Sequence, residues 1–432
     1  MELKFKRWQD FNNLSVKVTI GRKIYDAILI VDNNRLILKV DMSKDISEWR
    51  ATNKNYDILA GKFLFENHKI FFINCLYAGH SSHQNFSNDT IENLTVDFHI
   101  DRLILDKNIS KTSLDRITKY SASYKNLDLF FEPKPLMSSL RTFDYDSNTH
   151  NYKINTRFYS MNILYYCSLE EHRNSLSIIR KSYIEFEHIK PISIKKVLEN
   201  IYTFRNFLMI ILKQPIYVKK QIIYINHNAV ELFDCNDNDD FLENPSLEEM
   251  LSHRCLKINN IDNIDNIETV YNNFIQQYNQ LYPLIELYYN VTQYKIPNLT
   301  RFINATTMLE YYSRNYDFSN SLGLSKNKNP KRNDPYYECM VLSMVNNVNE
   351  VYNCTPKEID TISENIKAAR IHYIHYKTNQ KSKTLTDDEQ FWYSYFMQDV
   401  VLLNIYKLLG LDISKYEYVS FNDFFYNIKN IL

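Results

Sequence analysis

At 432 residues the chain is long enough for roughly two or three domains, each with its own core, and too long for a single small module. Hydrophobic residues at 44% and aromatics at 14%, with only 5 Gly and 10 Pro, exclude a disordered or collagen-like chain. The 51 Lys and Arg balance 51 Asp and Glu, so no global field draws the molecule onto nucleic acid or an anionic membrane, and any basic surface must be local.

The first residues, Met1 to Trp8, carry charges with no apolar segment after them, and no run of about 18 apolar residues follows anywhere. The expectation is a cytoplasmic chain without a membrane span. Six scattered cysteines (Cys75, Cys167, Cys235, Cys255, Cys339, Cys354), with no Cys-x-x-Cys, fit reduced thiols. Triplets such as Asn93-Leu-Thr95 carry no weight as glycosylation sites without export.

Residues 1–190 predict an antiparallel β-rich domain. Leu94, Val96, Phe98 and Ile100 alternate with Thr95, Asp97, His99 and Asp101, the period of a strand with one buried face. Comparable runs at Leu14 to Ile20, Leu36 to Val40, Lys69 to Leu76, Leu127 to Phe131 and Ile184 to Glu187 are separated by polar turns. Residues 191–295 predict a connecting region that closes this domain. Ile194, Val197, Leu198, Ile201, Phe204, Leu208 and Ile211 follow helical spacing. A short strand at Gln221 to Ile225, an acidic loop from Glu231 to Glu249 and a helix near Ile264 to Gln280 come next. That loop lacks the glycine and terminal Glu of a calcium site and reads as a solvated linker.

Residues 296–432 predict an all-α domain of four or five helices, making the chain α+β. Asn298 or Thr300 can cap the first helix, which runs through Phe302, Leu309 and Tyr312, and a basic loop, Gly323 to Asn333, ends that region. A second helix spans Tyr336 to Val351. Thr355-Pro-Lys-Glu358 is a capping box with proline at the first helical position, and Ile359, Ile362, Ile366 and Ala369 continue on one face. Thr386-Asp-Asp-Glu389 repeats the logic for a helix ending at Gly410. Phe421 to Leu432 is apolar enough for a terminal packing helix.

The chemistry concentrates late in the third of these helices: Lys367-Ala-Ala-Arg370-Ile-His372-Tyr373-Ile-His375-Tyr-Lys377. No acid lies between Glu364 and Asp387, which makes this the clearest positive patch in a neutral chain. A solvated helix end explains the charge alone, since cations are favoured near a helix C-terminus. The histidines add something more. Imidazole near neutrality moves protons and guanidinium holds a phosphate bidentately, the two functions that metal-free phosphodiester cleavage needs. Elsewhere, His80 and His83 read as a polar turn rather than metal ligands, Glu310 and Arg314 as an ion pair four residues apart on a helix, and the tyrosines of Leu281 to Tyr294 as core or interface. No P-loop or other glycine-rich phosphate cradle occurs.

Arg370, four intervening residues and His375 resemble the signature of HEPN (higher eukaryotes and prokaryotes nucleotide-binding) domains. The helix Arg301 to Arg314, with its Leu309-Glu310-Tyr-Tyr-Ser-Arg314 ending, resembles the first HEPN helix of ApeA-type anti-phage proteins, and Leu403 to Gly410 that family's closing helix. Ile192 to Leu208, followed by Pro215, resembles the end of its β-rich N-terminal domain. The resemblance implies a metal-independent endoribonuclease of abortive infection that needs no cofactor and acts on RNA, such as a tRNA anticodon loop. It assigns Arg370 and His375 as catalytic, with His372, Tyr373, Lys377 and Lys367 as auxiliary or RNA-contacting residues. It implies a homodimer formed through the HEPN domain, and an N-terminal domain that senses a phage-derived trigger or restrains the nuclease. The position after the motif Arg, commonly polar in this family, is Ile371 here. His372 either replaces that polar group, as a helical neighbour of His375, or is a bystander. A non-catalytic HEPN protein that binds RNA, nucleotide or a partner is the alternative.

Overall fold

The computed structural model describes residues 7–32, 35–43, 54–63, 68–85, 90–125, 127–131, 150–172, 175–226, 228–235, 256, 258–293, 296–375 and 384–416. It is α+β and divides into two compact units: Met1–Lys125, Thr149–Ile201 and Tyr217–Asp239 form the first, and Asn126–Asn148, Tyr202–Ile216 and Asp240–Leu432 the second.

The first unit is built on β1 (Leu14–Ile20), β2 (Lys23–Asp32), β3 (Arg35–Asp41), β4 (Tyr56–Phe63), β5 (Lys69–Asn85) and β6 (Thr90–Asp106). Their order is β3-β2-β1-β4-β5-β6, and β3 pairs back onto β6 from Leu36↔Ile100 to Asp41↔Thr95, so these strands close into an antiparallel barrel. The alternation expected at Leu94 to Ile100 is present, with Leu94, Val96, Phe98 and Ile100 buried against Val16, Val18, Leu38, Val40 and Phe72. Closure removes sheet edges that would otherwise recruit other chains. Gly61 allows the tight wall: a Cβ there would stand 3.0 Å from both Ile70 Cγ2 and the Lys17 carbonyl. The far end of β6 leaves the barrel and pairs with β12 (Asn228–Asp234), starting a sheet ordered β12-β11-β7-β10-β9-β8. Its other strands are β7 (Ile117–Tyr124), β8 (His150–Asn155), β9 (Tyr159–His172), β10 (Ser175–Ile192) and β11 (Val218–Ile225).

Helix α1 (Ile194–Leu212) crosses the division between Ile201 and Tyr202. Its first turns pack in the first unit, where the Asn200 amide nitrogen lies 2.9 Å from Tyr120 Oη and 3.1 Å from His188 Nε2. All three side chains are buried, and Tyr120 Oη is 3.1 Å from His188 Nε2. Burial first, and the charge of Lys196 second, lower the His188 pKa to about 4. The imidazole is therefore neutral and its Nε2 accepts.

The second unit holds the rest of α1 with α2 (Ile258–Asp265), α3 (Ile267–Gln293), α4 (Asn298–Tyr316), α5 (Phe318–Lys328), α6 (Tyr337–Asn347), α7 (Asn349–Tyr352), α8 (Pro356–His375) and α9 (Asp387–Leu408). Both expected capping boxes are formed, with Thr355 bonded to Glu358 and Thr386 to Glu389. Gly410 has the expected positive φ of 90°. Deep in this unit Lys213 Nζ meets Asp399 Oδ1 at 2.6 Å, and Tyr352 donates to the other carboxylate oxygen at 2.6 Å.

Several expectations are corrected. Leu127 to Phe131 is not a strand: Leu127–Phe130 is a 3-10 turn, because the buried residues Leu127, Phe130 and Phe131 fall three and four apart. Gly323 lies within α5 rather than in a loop. The Ser and Asn content there suggests a turn, but Ser321 and Ser325 are buried, with Ser321 donating to Asp317 and Ser325 to the Ser321 carbonyl. The second predicted helix is divided at Val348, and the helix expected near Ile264 to Gln280 is two, separated at Asn266 with φ of 62°. Gln221 to Ile225 belongs to a β11–β12 hairpin, which also takes up Glu231. The hairpin strand continues through Asp234, while residues 236–249 of the acidic loop and the terminal segment 421–432 lie outside the described residues. Among the described residues no helix is long and apolar enough to cross a membrane.

Candidate active site

Helix α8 starts at the Thr355 capping box and turns Ile359, Ile362, Ile366 and Ala369 inward. A helix repeats every 3.6 residues, so Lys367 and Arg370, three apart, emerge on neighbouring rows beside this apolar stripe. There they meet α4 and the start of α6. Arg370 Nη2 donates to Glu310 Oε2 at 2.5 Å, and its guanidinium lies 4.5 Å above the centre of the Tyr337 ring. Arg370 Nε is buried without a hydrogen bond, and the side chain as a whole is 20% exposed. The Tyr337 hydroxyl donates to the Thr306 carbonyl, which fixes the ring under the guanidinium. Burial raises the Tyr337 pKa while the Arg370 charge pulls it down.

Glu310 holds two arginines. Its Oε1 accepts from Arg314 Nε at 3.0 Å, and Arg314 then forms a bidentate pair with Asp334 at 2.7 and 3.3 Å. One turn before Arg370, Lys367 pairs with Glu338, which also meets Lys328 at 3.3 Å. Burial works to raise the Glu338 carboxyl, but Lys367 and then Lys328 outweigh it and hold it below the usual glutamate value. These carboxylates set the side-chain positions of four basic residues that are still reached by solvent, an arrangement suited to binding a phosphodiester.

The tyrosine after His372 has a tied hydroxyl. Tyr373 accepts from the Leu385 amide at 2.9 Å and from Gln390 at 3.2 Å, and donates to the Leu385 carbonyl at 3.1 Å. It thus joins α8 to the N-cap of α9. His372, half-exposed, packs edge-on against the Tyr373 ring with centroids 4.9 Å apart. His375 is the last residue of α8; its side chain and Lys377 lie outside the described residues. His80 makes a 2.8 Å hydrogen bond with Tyr77, the His83 side chain is outside the described residues, and among the described residues no three potential metal ligands cluster.

Sequence reasoning found Arg370 and Lys367 but missed Tyr337, Glu338 and Asp334, and it read Glu310 only as a partner of Arg314. The one available signal was the position of Glu310 in the segment that resembles the first HEPN helix. Partners 60 residues apart leave no periodic trace.

Residues 22–274, from β2 to the start of α3 and more than half of the chain, match the family model described as ApeA N-terminal domain 1. The chain belongs to this family and is an ApeA-type anti-phage defence protein. The matched segment ends within α3, ahead of α4, α6 and α8. No curated protein and no solved structure matches the chain.

Proposed function

We propose that the helical part, residues 296–432, is a HEPN-type, metal-independent endoribonuclease that carries out abortive infection in the cytoplasm. The observation that supports this most is Arg370: a guanidinium positioned by Glu310 and Tyr337 and still partly exposed, five residues ahead of His375 on the same helix. In the reaction, His375 takes the proton of a ribose 2′-OH as the 2′-oxygen bonds to phosphorus. The bond from phosphorus to the 5′-oxygen breaks, the leaving oxygen receives its proton from a protonated His375, and Arg370 stabilises the charge on the in-line transition state. The product ends are 2′,3′-cyclic phosphates, and DNA, lacking the 2′-OH, resists. No step requires a metal or cofactor.

Five residues on a helix turn by about 140°, so one Arg370 and one His375 do not share a stripe. A homodimer through this domain, with α8 of each copy lining one cleft, resolves this. Exposed single-stranded RNA, such as a tRNA anticodon loop, is the substrate class, and the N-terminal domain senses a phage-derived trigger. Incubation with total cellular RNA in EDTA tests the reading. Discrete fragments with cyclic-phosphate ends, absent with Arg370→Ala and with His375→Ala, are expected. Intact RNA here and during phage infection overturns it.

A second reading has its own support. Glu310 already engages Arg370, and Ile371 replaces the usual polar residue, as in a HEPN protein that binds RNA, nucleotide or a partner without cutting. It predicts salt-sensitive RNA binding and no fragments.

A further inference from the structure

Two stretches of the second unit are basic and free of acid: residues 318–333, with Lys326, Lys328, Lys331 and Arg332, and residues 365–386, with Lys367 and Arg370. They lie far apart in the chain, and Glu338 brings them together. One of its carboxylate oxygens meets Lys328 from the end of α5 and the other meets Lys367 from α8. The Glu338 side chain is only 13% exposed, whereas those of Lys328 and Lys367 are 56% and 35% exposed, so the acid anchors the lysines and leaves their outer faces to solvent. In the last turn of α5 and the turn beyond it, Lys326 and Lys331 are exposed and no ion pair involves them among the described residues. The Arg332 guanidinium stacks 3.8 Å above the Tyr336 ring, and its Nε is buried without a hydrogen bond. Arg370 follows Lys367 by one turn of α8.

We infer that the end of α5 with the turn after it, residues 326–332, and the outer face of α8 form one continuous phosphate-binding track for single-stranded RNA that leads to Arg370. Lys326, Lys331 and Arg332 neutralise backbone phosphates away from the bond that is cut, and Lys328 and Lys367 bridge from them to the reacting phosphate. The inference rests on the ribonuclease reading and adds to it the path of the bound strand. Ammonium groups without acidic partners beside a stacked guanidinium suit a flexible polyanion, which needs repeated charge contacts rather than a shaped pocket.

The test measures binding of a single-stranded oligoribonucleotide to the full chain carrying His375→Ala, which prevents turnover, over a series of NaCl concentrations. Each phosphate contact to a single strand contributes about 0.7 to the slope of log affinity against log salt. Adding Lys326→Gln, Lys331→Gln and Arg332→Gln should make that slope shallower by about 2 and weaken binding at every salt concentration. The double variant Lys326→Gln/Lys331→Gln, confined to exposed side chains that make no ion pair among the described residues, should remove about 1.4. RNA cleavage by the chain with His375 intact is read in parallel. If RNA is cut but neither variant changes the slope, the track is overturned and the nuclease stands; if RNA is neither bound nor cut, both fall.

Discussion

Two buried polar sets, one in each unit, are built in opposite ways. In the first, Tyr120, His188 and Asn200 form a neutral set whose facing atoms satisfy one another, and the lowered His188 pKa keeps it neutral. In the second, the inward groups carry charge. Lys213 and Asp399 are sealed together at 1% exposure, while the Glu310, Arg370, Lys367 and Glu338 set is partly open and leaves a guanidinium nitrogen unused. A closed, satisfied network maintains a fold, whereas a partly open charged one is the set that the proposed function assigns to a ligand.

The sharpest way to break this contrast is in the sealed pair. Asp399→Ala leaves Lys213 buried without its counter-charge, and urea unfolding should show a loss of about 3–5 kcal/mol. A loss below about 1 kcal/mol would mean that water reaches the pair. In the open set the effect should fall on activity instead. Arg370→Lys keeps the charge but loses the planar fork and the stack on Tyr337, so RNA cleavage should drop about 100-fold with little change in Tm. A parallel fall in Tm would place Arg370 among the structural groups.

In the first unit, Asn200→Ala removes the donor to Tyr120 and His188 and should cost about 1–3 kcal/mol while RNA cleavage persists. His188 adds a pH signature. Its folded pKa, about 4, lies below the ordinary 6.5, so between these values the unfolded chain binds more protons and stability falls as pH drops. The contribution is complete above about pH 6.5, and His188→Gln should flatten the unfolding profile between pH 6.5 and 4. The smallest effect is at a helix start. Thr386→Ala opens the capping box of α9 and should lower stability by about 1 kcal/mol without altering the Glu310–Arg370 pair, as measured by thermal unfolding.

Local signals carried much of this architecture in the sequence. The period of two at Leu94 to Ile100, the helical spacing from Ile194, the Thr355 and Thr386 capping boxes and Gly410 each depend on residues within a few positions of one another. So does the linear motif of Arg370 and His375, on which the proposed function rests. Where polar composition and packing disagreed, as in α5 with its buried Ser321 and Ser325, composition misled, because a short hydroxyl can bond to its own helix and still pack.

Tertiary structure alone decided the rest. Closure of the barrel needs β3 to find β6 across 54 to 64 positions, and no feature of Leu36 to Asp41 names Thr95 to Ile100 as its partner. Lys213 and Asp399 are 186 residues apart, and Glu310 is as well placed for Arg314 as for Arg370 until α4 and α8 are packed. Periodicity and capping record what a residue does with its neighbours along the chain. Which charge faces which depends on how helices and strands pack, and that is set by the burial of whole apolar faces rather than by the charged residues themselves.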